Sequence, residues 1–239
     1  MENIKLDALF FGSHPDDVEL TCGGTVIKLT EDGKKVGICD LTRGELSTRG
    51  NNILREKETK KASSLLGISL RLNLKIKDGD IQNNQLNRLK IIKILRQYKP
   101  VIVFAPYPND RHPDHINASN LIREAVYYSG LRKILTTNLK EYRPKKIFYY
   151  RHAYDIPVSF IVDISDTFEQ KMKVISCYES QFYSTKKSKE PETFISSKLF
   201  LYDIESKARY YGFKIGSEFG EPFYCSENIK INSQNLFEI

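Results

Sequence analysis

Two short stretches of the sequence combine histidines with carboxylates. Residues 14–17 read His-Pro-Asp-Asp and residues 112–115 read His-Pro-Asp-His, so three of the four histidines of the chain lie in these two places. Each stretch follows an apolar run, residues 6–11 in the first case and 101–105 in the second. Imidazole and carboxylate groups bind divalent metals and are also common proton-transfer groups in enzymes. Either chemistry requires the fold to bring the two stretches together.

A metal site is the first chemistry that these residue types indicate. His14, Asp17 and His115 suit a divalent metal, and three protein ligands leave positions open for water and substrate. Such a metal lowers the pKa of a water molecule that it binds from about 16 towards 7 and polarises a carbonyl oxygen. Two histidines with one carboxylate suit zinc, and iron(II) sites use the same set, so iron(II) is the alternative.

Proton transfer is the second chemistry. Asp16 is adjacent to a predicted ligand but should point elsewhere, which suits a general base that takes a proton from water. His112 lies three residues before His115 and is a candidate for stabilising an oxyanion or protonating a leaving amine. Asp114 is a candidate for holding the ring of His112 in one orientation. The residues alone leave open whether Asp16 or His112 protonates the amine.

The competing interpretation of each stretch is purely structural. A His-Pro-Asp string at the end of a strand can be a turn in which proline fixes φ and aspartate caps the next helix. That explanation accounts for one string more readily than for two strings that follow strands predicted to be neighbours. We therefore expect the pair to be functional.

The elements that must position these residues alternate between strand and helix through the first 130 residues. Apolar runs predict strands at residues 6–11, 36–41, 70–76, 101–105, 146–150 and 160–164. Helical periodicity predicts helices at residues 18–29, 54–66, 86–98, 116–128, 168–178 and 200–211. Residues 181–197 are predicted to be a loop, either flexible or a cover over the site, and the tail after residue 211 to be irregular.

This alternation predicts an α/β fold, a Rossmann-like three-layer arrangement with a mostly parallel sheet. The common strand order 3-2-1-4-5 places the first and fourth strands side by side, and such folds bind ligands at the carboxyl ends of those strands. The metal site is therefore expected there. The sequence has no internal repeats and no convincing linker, so we expect residues 1–239 to form a single domain.

Composition restricts the partners. No stretch approaches the roughly 20 apolar residues of a membrane span, and residues 1–5 do not resemble a signal segment, so we expect a cytoplasmic protein without a membrane partner. The four cysteines are widely spaced, which fits a reducing compartment. A net charge of +7 favours anionic partners, but the lysines are dispersed over predicted helix faces and loops. We therefore do not expect nucleic acid as a partner.

The motifs also resemble those of a known family, the LmbE-like (PIG-L) zinc deacetylases, in the branch that serves bacillithiol biosynthesis. The resemblance covers nearly the whole chain and rests on residues 14–17, 23–25, 40–50, 55–56, 108–115 and 208–212. It implies hydrolysis of the N-acetyl group of N-acetylglucosaminyl-malate, with N-acetylglucosamine or chitooligosaccharides as alternative substrates. It also implies a homo-oligomer, a hexamer in that branch.

The resemblance assigns roles residue by residue. It implies that the zinc ligands are His14, Asp17 and His115, that Asp16 is the general base, that His112 stabilises the tetrahedral intermediate and that Asp114 is the partner of His112. It also places Arg55 and Arg111 at substrate-binding positions and Asp78 at the position of a sugar-binding acid.

Arginine chemistry gives an independent argument for an anionic substrate. A malate-bearing sugar has two carboxylates, and guanidinium groups bind carboxylates through paired hydrogen bonds. Four arginines, Arg43, Arg49, Arg55 and Arg111, lie in predicted loops or helix starts at the mouth of the expected site, and Arg111 is the strongest candidate. The rival from another functional class is a non-catalytic nucleotide- or nucleic-acid-binding module, but no glycine-rich phosphate loop follows the first strand.

Overall fold

A seven-stranded sheet between two layers of helices forms the body of the protein. The computed structural model describes residues 4–134, 136, 138–184 and 189–233. The strands are β1 (Ala8–Gly12), β2 (Val36–Asp40), β3 (Leu70–Asn73), β4 (Ile102–Pro106), β5 (Lys146–Tyr150), β6 (Phe160–Asp163) and β7 (Gly220–Tyr224). The helices are α1 (Asp17–Glu31), α2 (Asn52–Leu66), α3 (Gln85–Tyr98), α4 (Pro113–Ser129), α5 (Phe168–Ile175) and α6 (Lys198–Phe213).

The strand order is β3-β2-β1-β4-β5-β7-β6. The first five strands of this order run parallel, and β7 pairs antiparallel with both β5 and β6. The predicted order 3-2-1-4-5 is confirmed, as is the three-layer α/β fold. Because β1 and β4 are neighbours, the chain leaves both strands at the same edge of the sheet.

Strand β1 lies at the centre of the core and is buried along its whole length. Successive side chains of a strand point to opposite faces of the sheet. Phe11 accordingly packs in a cluster with Ile91 of α3 and Leu121 of α4, whereas Phe10 packs on the other face with Val26 of α1. Burial on both faces explains why the sequence of β1 is continuously apolar.

Helix α4 begins earlier than predicted, at Pro113 and not at residue 116. Proline is favoured in the first turn of a helix, where its missing N–H group needs no partner. The side chain of His112 acts as the N-cap, with Nδ1 accepting a hydrogen bond from the backbone N–H of Asp114 at 3.2 Å. This early start places His115 in the first turn of the helix, at the edge where β1 also ends.

Strand β7 corrects the prediction that the tail after residue 211 is irregular. Its sequence, Gly-Glu-Pro-Phe-Tyr, combines glycine and proline, both of which are unfavourable in the interior of a strand. The strand forms because the space between β5 and β6 is open to it, and Phe223 pairs with Tyr150 on one side and Phe160 on the other. Tertiary context therefore outweighs the local preference of these five residues.

Four further features of the structure bear on the predictions. Helix α5 ends at Ile175, three residues before the predicted end. Residues 194–196 of the predicted loop form a turn of 3₁₀-helix, and residues 185–188 of that loop lie outside the described residues. All four cysteines are free and buried. Among the helices that the structure describes, none combines the length and the apolar character that a membrane crossing requires.

Candidate active site

A cleft of about 970 Å³ opens at the carboxyl ends of β1 and β4. Both histidine-containing stretches line it, the first from the turn between β1 and α1 and the second from the loop that leads into α4. The two stretches therefore lie next to each other, as predicted. Their side chains meet although about a hundred residues separate them in the chain.

The three predicted metal ligands converge on one point. Asp17 Oδ2 lies 3.6 Å from Nδ1 of His14, and Asp17 Oδ1 lies 3.5 Å from Nε2 of His115. One ligand atom from each residue falls within 4.8 Å of the others, a spacing that can hold a metal ion. Asp17 and His115 are buried, and His14 is partly buried. Two imidazoles and a carboxylate in this arrangement are a donor set for a divalent cation.

The ring nitrogens that face away from this point are each held by a carboxylate. His14 Nε2 lies 3.0 Å from Asp78 Oδ1 and 3.4 Å from Asp114 Oδ2. His115 Nδ1 lies 3.0 Å from Asp110 Oδ1. Metal-binding histidines commonly donate their second N–H group to a carboxylate, which fixes the ring orientation and the tautomer. The surroundings of both histidines therefore fit a metal site.

Asp16 adopts an unusual backbone conformation directly before α1. Its φ is 117°, in the left-handed region that residues other than glycine seldom enter. Strained backbone of this kind persists only where the surrounding structure enforces it. Here Arg55 donates one hydrogen bond to the carbonyl oxygen of Pro15 and another to Asp16 Oδ2, the latter at 2.9 Å. The turn thus directs Asp16 and Asp17, although adjacent in the chain, to different partners.

Burial raises the pKa of Asp16 to about 7; the charge of Arg55 acts against this rise and the charge of Asp17 adds to it. A divalent cation beside Asp17 would lower this pKa again, because the ion is the largest charge in the site. A carboxyl group whose pKa lies near the operating pH is suited to general-base work. Oδ1 of Asp16 has no hydrogen-bond donor among the described residues and can accept a proton.

The prediction for Asp114 needs a correction. We expected its carboxylate to hold the ring of His112, but Asp114 Oδ2 accepts a hydrogen bond from the backbone N–H of Gly79 at 2.8 Å and lies near His14. Asp114 contacts His112 through its own backbone N–H, which donates to Nδ1. The Asp114 carboxylate nevertheless lies within 4.8 Å of a ring nitrogen of His112.

The hydrogen bond from the backbone N–H of Asp114 to Nδ1 bears on which ring nitrogen of His112 carries the proton. Burial lowers its pKa, and the charges of His115 and His14 lower it further, so the ring is neutral near pH 7. In a neutral imidazole with an accepting Nδ1, the proton is assigned to Nε2. His112 therefore offers an N–H donor to the cleft that it lines.

His152, the fourth histidine, lies in the site although the sequence motifs do not include it. It follows β5, and its Nε2 lies 3.2 Å from Asp17 Oδ1. Its ring packs against that of His115 with centroids 4.1 Å apart. The neighbouring backbone N–H of Ala153 donates to Asp110 Oδ2 at 2.9 Å. The predicted topology could have identified this histidine, because β5 is the next strand after β4 and its carboxyl end lies at the same edge.

Three of the four predicted substrate-binding residues, Arg49, Arg55 and Asp78, are engaged by protein groups. Arg55 is 5% exposed and contacts Asp16, as described. Arg49 lines the cleft, but its guanidinium donates to the carbonyl oxygens of Ser180 at 2.9 Å and Pro191 at 3.2 Å. These two arginines therefore support the walls of the cleft.

Asp78 and Arg111 also line the cleft, and they differ in their partners. Asp78 contacts His14 through one oxygen and accepts a hydrogen bond from the backbone N–H of Leu46 through the other, at 2.8 Å. Arg111 is exposed at the rim, and its guanidinium lies over the ring of Phe194 at 5.0 Å. No carboxylate lies within ion-pair distance of Arg111 in the described part of the chain, so this arginine can receive an anionic ligand.

The chain resembles several known proteins. Residues 9–126, which contain both histidine stretches, match the PIG-L family model, described as GlcNAc-PI de-N-acetylase. The diacetylchitobiose deacetylase of Thermococcus kodakarensis is 33% identical over 184 residues, which cover 71% of this chain and 67% of that protein. A probable N-acetyl-alpha-D-glucosaminyl L-malate deacetylase 2 of Bacillus cereus is 27% identical over 185 residues, covering 70% of this chain and 80% of that protein. The crystal structure of a conserved protein from Thermus thermophilus aligns with a TM-score of 0.86 at 36% identity, covering 95% of this chain and 97% of that one.

Proposed function

Since this chain belongs to the PIG-L family of N-deacetylases, we propose that it hydrolyses the N-acetyl group of an N-acetylglucosamine conjugate with the help of a divalent metal. The observation that carries the proposal is the convergence of His14, Asp17 and His115, with their outer ring nitrogens on carboxylates. Asp16 stands beside them in the same cleft, with a pKa suited to accepting a proton.

The chemistry can be assigned to groups of this chain. His14, Asp17 and His115 would hold the metal, which when bound polarises the acetyl carbonyl and makes water acidic. Asp16 Oδ1 accepts the proton of the attacking water, while Arg55 keeps Oδ2 in place. The Nε2–H group of His112 donates to the carbonyl oxygen as that oxygen gains negative charge. The C–N bond then breaks to give acetate and a free amine, whose added proton comes from Asp16 or His112.

The residues at the cleft rim favour an anionic conjugate such as N-acetylglucosaminyl-malate. Arg111 offers a guanidinium without a carboxylate partner within the described chain, and guanidinium forks bind carboxylates well. The second candidate substrate is diacetylchitobiose, which is neutral. The 33% identity to a diacetylchitobiose deacetylase supports that alternative. The net charge of +7 favours the anionic substrate.

Zinc is the metal that we propose, with iron(II) as the alternative, because the donor set suits both. We also propose a homo-oligomer, the hexamer implied by the resemblance to the bacillithiol branch. Metal analysis of the purified protein and light scattering after size-exclusion chromatography measure these two properties directly.

An acetate-release assay tests the proposed reaction. The substrates are N-acetylglucosaminyl-malate, diacetylchitobiose and N-acetylglucosamine, each with and without a chelator. We expect acetate release that the chelator abolishes, fastest with the malate conjugate. A generic phosphate ester tests the rival hypothesis of a metal-dependent phosphoesterase. Hydrolysis of the ester with no acetate from any sugar would contradict the proposal, and a protein with no affinity for divalent metals would favour a non-catalytic binding module.

A further inference from the structure

Arg111 has an unusual position for a residue inside a functional motif. Its neighbours Asp110 and His112 direct their side chains to His115 and into the cleft, whereas Arg111 lies exposed at the rim. An arginine side chain has several rotatable bonds and loses rotamer entropy when it is fixed. An exposed arginine without a partner would therefore spread over many conformations and bind a ligand weakly. Something must restrict this side chain if it is to recognise a substrate.

The partner that the structure supplies is Phe194. The guanidinium carbon of Arg111 lies 5.0 Å from the centroid of the Phe194 ring, within the range of cation–π attraction. Phe194 is 64% exposed, so one face of its ring is open to a side chain at the rim. Both residues line the same cleft. The exposed ring therefore has a contact that explains its position.

Two further aromatic rings connect Phe194 to the core. Its ring meets that of Phe200 edge to face with centroids 5.5 Å apart, and Phe200 stacks on Phe182 at 6.0 Å. Phe182 is almost fully buried in the cluster on the α1 side of the sheet. The position of Phe194 is thus linked through two rings to the core.

Residues 189–197, which we call the strap, make hydrogen bonds on both sides of Phe194 in the chain. The side chain of Glu190 accepts a hydrogen bond from the backbone N–H of Gly50 at 2.8 Å, and Arg49 donates to the carbonyl oxygen of Pro191. On the other side, Thr193 and Ser196 form a reciprocal capping box around residue 194. The strap is therefore tied to the loop before α2 and presents the ring of Phe194 in a defined place.

We propose that Phe194 is a positioning residue, which holds the guanidinium of Arg111 at the cleft rim so that it can bind the anionic group of an N-acetylated sugar conjugate. This inference rests on the anionic substrate of the proposed function. Phe194 acts through Arg111 and need not touch the reacting atoms. The anionic class of substrate is consequently recognised by two chain segments that meet at the rim of the cleft, the loop before α4 and the strap.

The test measures binding without turnover, in zinc-loaded protein that carries Asp16→Asn. Calorimetry compares the Kd of N-acetylglucosaminyl-malate with that of the neutral methyl glycoside of N-acetylglucosamine. Phe194→Leu keeps an apolar side chain but removes the aromatic face. We expect it to weaken binding of the malate conjugate about two- to fivefold, the range of an exposed cation–π contact, and to leave the neutral glycoside unchanged. Phe194→Tyr keeps the aromatic face and should restore the wild-type Kd.

A second background separates positioning from a general effect on the cleft. In a protein that also carries Arg111→Met, Phe194→Leu should have no further effect on binding of the malate conjugate. The inference would be overturned if Phe194→Leu weakened binding of both ligands equally, or if its effect persisted in the Arg111→Met background. It would also be overturned if the protein bound the two ligands equally well or bound neither. If the predicted Kd pattern appears but the active protein releases no acetate, the proposed reaction fails and the positioning role stands.

Discussion

The guanidinium of Arg55 donates a hydrogen bond to Asp16 Oδ2 at 2.9 Å, and both groups are buried. This pair changes the interpretation of Arg55, which the sequence places among substrate-binding residues. A positioning role predicts that Arg55→Met lowers kcat by roughly 10- to 100-fold, because a misplaced base loses its alignment with the attacking water. KM should change little. Steady-state kinetics of acetate release measure both values.

Arg55→Lys is the matched control for this prediction. Lysine keeps the positive charge but cannot donate simultaneously to the carbonyl oxygen of Pro15 and to Asp16 in the geometry of a guanidinium fork. Its kcat should therefore lie between those of wild type and Arg55→Met. A rise in KM at constant kcat would instead support direct binding of substrate by Arg55.

Substitutions of the two adjacent aspartates should have different effects on metal content and activity. Asp16→Ala removes the base, so acetate release should fall by about 10²- to 10⁴-fold while the metal content stays at the wild-type level. Asp17→Ala removes a ligand, as does His115→Ala, and each should lose both metal and activity. Metal analysis after dialysis and the acetate assay give the two readouts. Near-normal activity of Asp16→Ala would show that another group is the base.

His152 should affect the metal without being one of the predicted ligands. Its pKa is lowered by burial and by the charge of His115, so the ring is neutral near pH 7 and can donate Nε2–H to Asp17 Oδ1. Loss of such a contact typically costs 10- to 100-fold in metal affinity, and we expect about this loss for His152→Ala. His152→Gln retains a donor and should recover part of the affinity. Competition with a chromophoric chelator measures both Kd values, and wild-type affinity of His152→Ala would refute the assignment.

Removal of the metal should affect stability as well as activity. Exhaustive chelation is expected to abolish acetate release and to lower Tm, because a ligand that binds only the folded protein stabilises it. Re-addition of zinc, or of iron(II) without oxygen, should restore both properties. Calcium is the control, since its preference for oxygen ligands does not match two imidazoles. An unchanged Tm after complete removal would argue against a site built from buried residues.

A buried ion pair in the wall of the cleft gives a prediction for stability. Lys171 donates to Glu221 at 2.7 Å, and both side chains are buried. Lys171→Met leaves the charge of Glu221 without its cation, so the free energy of unfolding should fall by about 3–5 kcal/mol. Urea denaturation of the metal-free proteins measures this loss. Lys173→Met, which breaks an exposed pair on the same helix, should have little effect. Comparable losses in the two variants would contradict the prediction.

The central part of the fold follows from local sequence pattern. The strand β1 and the helices beside it have strong apolar periodicity, and the rule for parallel crossovers then places β1 next to β4. That adjacency brings His14 to His115, so the core of the candidate site could be predicted. This part of the prediction depends on strand order and not on exact element boundaries.

The remaining features depend on contacts between distant segments, which local pattern does not encode. Arg49 was predicted to bind substrate because it is a cation near the cleft, but its acceptors belong to residues 180 and 191, more than a hundred residues away. Strand β7 was missed because its glycine and proline disfavour a strand unless two partners are already in place. The carboxylate of Asp114 accepts a hydrogen bond from Gly79, 35 residues away, and local pattern does not encode that contact either.

Strand β7 also clamps the helix that begins at Asp17. Its Glu221 accepts hydrogen bonds from the backbone N–H groups of Gly24 and Thr25, at 3.0 and 2.7 Å, across a separation of up to 197 residues. A ribosome makes the chain from its N-terminus, so both histidine stretches leave the exit tunnel well before this clamp exists. Residues 116–219 are therefore added to the nascent chain before the Glu221 contact to α1 can form. The clamp requires β7 to lie between β5 and β6, so the helix that carries Asp17 is held by a strand made more than a hundred residues after His115.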